Sequence, residues 1–128
     1  MRRVLVIDDE PEILSLTCRM IKNLGFLTLE ASSSVEACTI FKEKKPGIVI
    51  TDLQLESGID GVALCSRFLY EDKTTVVIAM SGYFNRYDKM YALQVGFTDF
   101  LQKPVSLEEL GSALHCAFDR RSRWCALG

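Results

Sequence analysis

The 128-residue chain carries 48% hydrophobic and 25% charged residues, enough apolar material for one ordinary core and too little length for two domains. Its net charge of -2 and pI near 5.4 give no long-range field for gathering nucleic acid or anionic membrane, so direct nucleic-acid binding is not expected, despite the basic cluster of Arg120, Arg121 and Arg123. No charged-then-apolar leader opens the chain and no apolar run approaches roughly 20 residues, which makes the cytoplasm the expected compartment and a membrane no expected partner.

Short apolar runs alternate with longer stretches of helical period, the pattern of βα units around a parallel sheet. The first run, Val4 to Ile7, reads as a strand and ends in Asp8, Asp9 and Glu10. Pro11 then starts a helix with Ile13, Thr17, Met20 and Leu24 on one face, and Gly25 stops it. Leu27 to Ala31 is a second strand, mixed in polarity and therefore suited to an edge. Ser33 with Glu36 has capping-box spacing for the second helix, which Lys45-Pro46-Gly47 ends. Ile48 to Thr51 and Val76 to Met80 are nearly all apolar and belong in the centre of the sheet, buried on both faces. Gly96 ends a fourth helix, and a short strand around Phe100 to Gln102 suits the other edge. Ser106 with Glu109 caps a fifth helix that buries Leu107, Leu110, Leu114 and Ala117.

The simplest right-handed arrangement with those edges is one doubly wound, flavodoxin-like five-stranded parallel sheet in the order 2-1-3-4-5. The domain is expected over residues 1–119, with 120–128 a tail or the start of a linker. The five cysteines are odd in number and lack ligand spacing, so they read as reduced core thiols, and His115 reads as structural.

In such a sheet the ligand site lies beyond the carboxyl ends of the strands, where the connections after strands one and three diverge. That order brings Asp8 and Asp9, after the first strand, to Asp52, which ends the third. Three neighbouring carboxylates repel one another unless a cation joins them, and Mg²⁺, which favours oxygen ligands and shares phosphate oxygens, answers the need. Ser81 and Lys103 reach the same edge from the fourth and fifth strands, a hydroxyl and an ammonium suited to a phosphoryl group's other oxygens. Each residue alone has a bland reading as a cap, turn or surface group; their joint placement after four strands argues for a site.

The segments VLVIDDEPEIL, IVITDLQL, VIAMSG and DFLQKP, in this order and spacing, resemble the receiver domain of two-component response regulators over nearly the whole chain. The resemblance implies that Asp52 accepts a phosphoryl group from a phosphohistidine on a sensor histidine kinase or phosphotransfer protein, in a self-catalysed transfer followed by autodephosphorylation. It implies Mg²⁺ held by Asp8, Asp9, Asp52 and the main-chain carbonyl of Gln54, with Ser81 the switch hydroxyl, Lys103 a phosphoryl contact and Phe100 the aromatic switch residue. A cis Lys103-Pro104 bond is implied as well. Phosphorylation would reshape the face of the fourth helix, fifth strand and fifth helix toward a downstream partner. Gln54 and Tyr83 fall where the family tunes phosphoryl lifetime; Tyr83 either hinders the attacking water or faces solvent at a partner surface.

The chain also departs from the family pattern. LQLESGI lacks the usual proline and is one residue longer, Val105 replaces an aromatic residue, and Phe97 stands where a small residue usually follows Gly96. The fifth helix lacks the charged set of regulators that dimerise through it, leaving a homodimer open rather than expected. Two other functions share these features. An aspartyl-phosphate phosphohydrolase of the haloacid dehalogenase type would want a second Asp at position 54, where Gln54 stands. A degenerate receiver would act as a phosphorylation-independent interaction module, against which the full set of site residues argues. A flavodoxin-like nucleotide module would need a glycine-rich phosphate loop that the first strand lacks.

Overall fold

The computed structural model describes residues 3–55, 60–82 and 86–127. Strands β1 (Arg3–Ile7), β2 (Leu27–Ala31), β3 (Ile48–Asp52), β4 (Val76–Ser81) and β5 (Asp99–Gln102) alternate with helices α1 (Pro11–Asn23), α2 (Ser34–Lys44), α3 (Gly61–Glu71), α4 (Arg86–Val95) and α5 (Leu107–Leu127). The strands form one parallel sheet in the order β2-β1-β3-β4-β5, as the polarity of the edge runs implied.

Alternate residues of the central strands divide the core in two, because successive side chains leave opposite faces of a strand. Val4, Val6, Ile48, Ile50, Ile78 and Met80 meet Leu14, Cys18, Ile21, Leu110 and Leu114 of α1 and α5. Leu5, Ile7, Val49, Val77 and Ala79 meet Ala37, Phe41, Leu64, Phe68 and Ala92 of α2, α3 and α4. There the Phe41 and Phe68 rings stack with centroids 4.2 Å apart, and burying each ring stabilises the fold by roughly 1.5–3 kcal/mol. Phe97 is buried in the same cluster. On the other face Phe26 stacks on Phe118 and takes the edge of His115 at 6.0 Å, a packing role for that histidine. Burial pushes the Cys18 and Cys65 thiols up to about 12, which keeps them inert.

The punctuation works as read. Pro11 opens α1, Gly25 and Gly96 take positive φ after α1 and α4, and Lys45 itself adopts the left-handed exit of α2. The backbone N–H of Glu36 donates to Ser33 Oγ (3.2 Å) and that of Glu109 to Ser106 Oγ (3.0 Å).

Four details differ from the expectations. The centre of the α1 face is Leu14, Thr17, Cys18 and Ile21, with Ile13, Met20 and Leu24 on its fringe. Leu107 is 46% exposed, because it precedes the first turn of α5 that meets the sheet. Cys116 is exposed rather than a core thiol. Residues 120–127, expected as a tail, continue α5.

That continuation is fastened by a contact far off in sequence. Arg121 Nη1 donates to the carbonyl and the hydroxyl of Thr74, both at 3.0 Å, and the Thr74 hydroxyl donates to Asp72 Oδ1 at 2.6 Å. A Cβ on Gly47 would run into the Arg121 side chain. The Thr74 hydroxyl bond is the chief cause holding the Asp72 carboxyl below its ordinary value; partial burial opposes it, and the Thr74 N–H and the Arg121 charge assist. A carboxyl depressed in the folded state contributes stability that is present above its unfolded value, about 3.9, and is lost as pH falls through its lower folded value. Asp72→Asn is therefore expected to lower stability at neutral pH and to flatten the fall in stability below about pH 4. Urea unfolding of both proteins at stepped pH reads this out, and parallel curves would refute it.

Candidate functional site

The strand register builds the site. Ile7 pairs with Thr51, so Asp8 and Asp52 are the next residues on two adjacent strands. Asp52 pairs with Met80 and Ser81 with Gln102, which delivers Ser81 and Lys103 to the same edge. The central strands are hydrophobic until they end, and their first polar residues fall at this edge. Asp9, Glu10, Asp52, Gln54, Ser81 and Lys103 line a cleft of about 500 Å³ here.

Lys103 organises the cleft. Its Nζ lies 2.8 Å from Asp52 Oδ2, donating a hydrogen bond, and 2.9 Å from Asp8 Oδ2, off the hydrogen-bonding angle. The Lys103 side chain is 15% exposed, that of Asp52 10% and that of Asp8 not at all. Burial works against the ammonium's charge, but its contacts with Asp52 and Asp8 more than offset this and hold its pKa above the ordinary lysine value. The Lys103–Pro104 peptide bond is cis.

The remaining oxygens are held by backbone. Asp52 Oδ1 accepts from the Gln54 N–H and Asp8 Oδ1 from the Glu10 N–H, both at 3.0 Å. Ser81 is buried at the cleft, and its carbonyl accepts from the Lys103 N–H at 2.8 Å. Phe100 is half-buried and packs on the α2, α3 and α4 side of the core. Tyr83 and part of the LQLESGI loop lie outside the described residues.

Below Asp52, α3 closes tightly on the acidic loop. Asp60 caps the helix by accepting from the Ala63 N–H at 2.9 Å, and the Gly61 N–H donates to the Leu53 carbonyl at 3.1 Å. A Cβ on Gly61 would collide with the carbonyl oxygen of Asp52.

Among the described residues, Asp8, Glu10 and Asp52 each offer a carboxylate oxygen within 4.8 Å of the others. Asp9 lines the cleft but is not in that group. Glu10 is also the N-cap residue of α1. Asp8 Oδ2 is fully buried and, although the Lys103 ammonium lies 2.9 Å away, accepts no hydrogen bond. A buried, under-satisfied carboxylate oxygen among hard oxygen donors fits a hard divalent cation such as Mg²⁺.

The response regulator receiver domain model matches residues 4–115. The chain is 35% identical over 124 residues to the transcriptional regulatory protein KdpE of Mycobacterium tuberculosis, covering 95% of this chain and 53% of that protein. It is 26% identical over 125 residues to the alkaline phosphatase synthesis transcriptional regulatory protein PhoP of Bacillus subtilis, covering 98% of this chain and 51% of that one. A solved receiver domain protein from Clostridium thermocellum superposes with a TM-score of 0.90 at 28% identity, over 97% of this chain and 99% of that one.

With fold, cleft and matched span in agreement, the chain belongs to the response regulator receiver family of two-component systems. It spans about half the length of these curated transcriptional regulators. Receiver domains as a class bind Mg²⁺ at an acidic pocket and pair with histidine kinases and output domains. No described helix is long and apolar enough to cross a membrane.

Proposed function

We propose that this receiver takes a phosphoryl group on Asp52 from a phosphohistidine of a sensor kinase or phosphotransfer protein. The observation that carries the reading is the Lys103 ammonium held between buried Asp52 and Asp8 in a cleft that Ser81 also lines. In the step proposed, an Asp52 carboxylate oxygen forms the new P–O bond as the P–N bond breaks, and the bonding pair returns to the imidazole nitrogen. The Gln54 N–H and Lys103 orient the two Asp52 oxygens before transfer, so little reorganisation remains. Asp8, Asp9, Asp52 and the Gln54 main-chain carbonyl would hold Mg²⁺, which when bound supplies positive charge against the transferring oxygens.

Lys103 and the Ser81 hydroxyl then meet the oxygens of the bound phosphoryl. The pull on Ser81 draws its loop inward and leaves space for Phe100, changing the α4-β5-α5 face presented to a downstream partner. The phosphoryl group shifts an existing equilibrium by its differential interaction with the two shapes. Gln54, exposed at the cleft rim, is placed to affect how water reaches the phosphoryl group.

Incubation with Mg²⁺ and a small phosphodonor, followed by intact mass measurement, tests this. One phosphoryl increment is expected in the natural protein and none in Asp52→Asn or in excess chelator. An equal increment in Asp52→Asn would exclude Asp52 as the acceptor.

A further inference from the structure

We infer that Thr51 is a positioning residue for the acceptor, its buried hydroxyl holding the main chain of Asp52 so that the carboxylate meets its partners already oriented. The inference rests on the reading of Asp52 as the phosphoryl acceptor. Thr51 lies in β3, is fully buried and pairs in register with Ile7 and Ala79. Those two residues, and Val49 two places earlier on the strand, belong to the core on the α2, α3 and α4 side. Register partners share a face, so Thr51 points into that apolar core, where valine, of nearly the same shape, would bring no polar group to satisfy. The Thr51 hydroxyl instead donates to the Asp52 carbonyl at 2.9 Å.

That carbonyl belongs to a peptide group held at both ends. The N–H on its far side, from Leu53, donates to the Met80 carbonyl of β4 at 3.1 Å. The carbonyl oxygen also lies against the start of α3, where a Cβ on Gly61 would collide with it. Because a peptide group is planar, fixing its oxygen and its N–H sets the course of the chain on either side. Upstream this aims the Asp52 side chain. Downstream it places the Gln54 N–H, which donates to Asp52 Oδ1 at 3.0 Å, while Lys103 Nζ reaches Oδ2 at 2.8 Å. Without the Thr51 hydroxyl the carbonyl loses a donor, the peptide plane can tilt, and the Gln54 N–H moves with it.

The test follows phosphoryl uptake from phosphoramidate by the intact chain in excess Mg²⁺, read by mass over a range of donor concentrations. Thr51→Val and Thr51→Ala are expected to lower the maximal rate about tenfold, short of the roughly hundredfold that a misplacement of about 1 Å can cost, and to leave the half-saturating donor concentration unchanged. Thr51→Ser, which keeps the hydroxyl and drops the methyl, is expected to recover most of the rate. The Gln54 amide resonance should shift in Thr51→Val and Thr51→Ala and return in Thr51→Ser. If the natural protein loads, Asp52→Asn does not, and Thr51→Val and Thr51→Ala load at the natural rate, the role of Thr51 is overturned while Asp52 stands as the acceptor. Equal losses in all three Thr51 variants also overturn it, since the hydroxyl is then not the cause. Failure of the natural protein to load, or equal loading of Asp52→Asn, would overturn the acceptor reading and, with it, this role.

Discussion

Replacing Lys103 with glutamine is expected to destabilise the metal-free protein by about 3 kcal/mol, the low end for removing one partner of a buried ion pair. The side chains concerned are 15%, 10% and 0% exposed for Lys103, Asp52 and Asp8, so water screens little of the change. Glutamine can still donate a hydrogen bond, but it leaves two facing carboxylates with no cation between them. Added Mg²⁺ is then expected to raise the variant's unfolding midpoint more than that of the natural protein, because binding to the folded state alone stabilises it. Denaturant titrations with chelator and with Mg²⁺ measure both effects. A loss under about 1 kcal/mol, the range of surface pairs, would show that the ammonium is not an organising charge.

Gly61→Ala is the second large effect, at about 2 kcal/mol of lost stability. The new methyl would meet the backbone carbonyl of Asp52, which cannot rotate aside as a side-chain tip can. Either α3 withdraws or the acceptor loop shifts, so slower phosphoryl uptake should accompany the loss. Gly111→Ala supplies the contrast: its methyl would meet Leu24 methyls at 3.3 and 3.8 Å, and small movements of that half-buried side chain accommodate it. Alanine also favours a helix interior by up to about 1 kcal/mol, so Gly111→Ala should fall near zero or be stabilising. Matching losses at the two glycines would contradict the account of the α3 contact.

These positions show which parts of the molecule local sequence carries. The runs VLVI, IVIT and VVIAM are buried on both faces, and that uniformity made them central strands and put their terminal polar residues at one edge. The meeting of Asp8, Asp52, Ser81 and Lys103 followed from strand order alone, since parallel strands in register deliver their ends together. The face of α1 was harder, because Ile13-Leu14, Thr17-Cys18 and Met20-Ile21 are adjacent apolar or small pairs. Periodicity does not say which member of each pair faces the sheet; packing against α5 and the strands does. The helical end of α5 was hidden for another reason. Residues 120–128 read as a tail or the start of a linker, and the Thr74 groups that hold Arg121 lie 47 residues away.

The central claim is chemical and local: the acyl phosphate forms on Asp52. Borohydride converts an acyl phosphate on aspartate to homoserine, so reducing the phosphodonor-treated protein and sequencing its peptides by mass spectrometry locates the bond. The account predicts homoserine at position 52, dependent on Mg²⁺ and abolished by excess chelator. Homoserine at Asp8 or Asp9, or a borohydride-resistant phosphate on a serine, threonine or tyrosine, would contradict it.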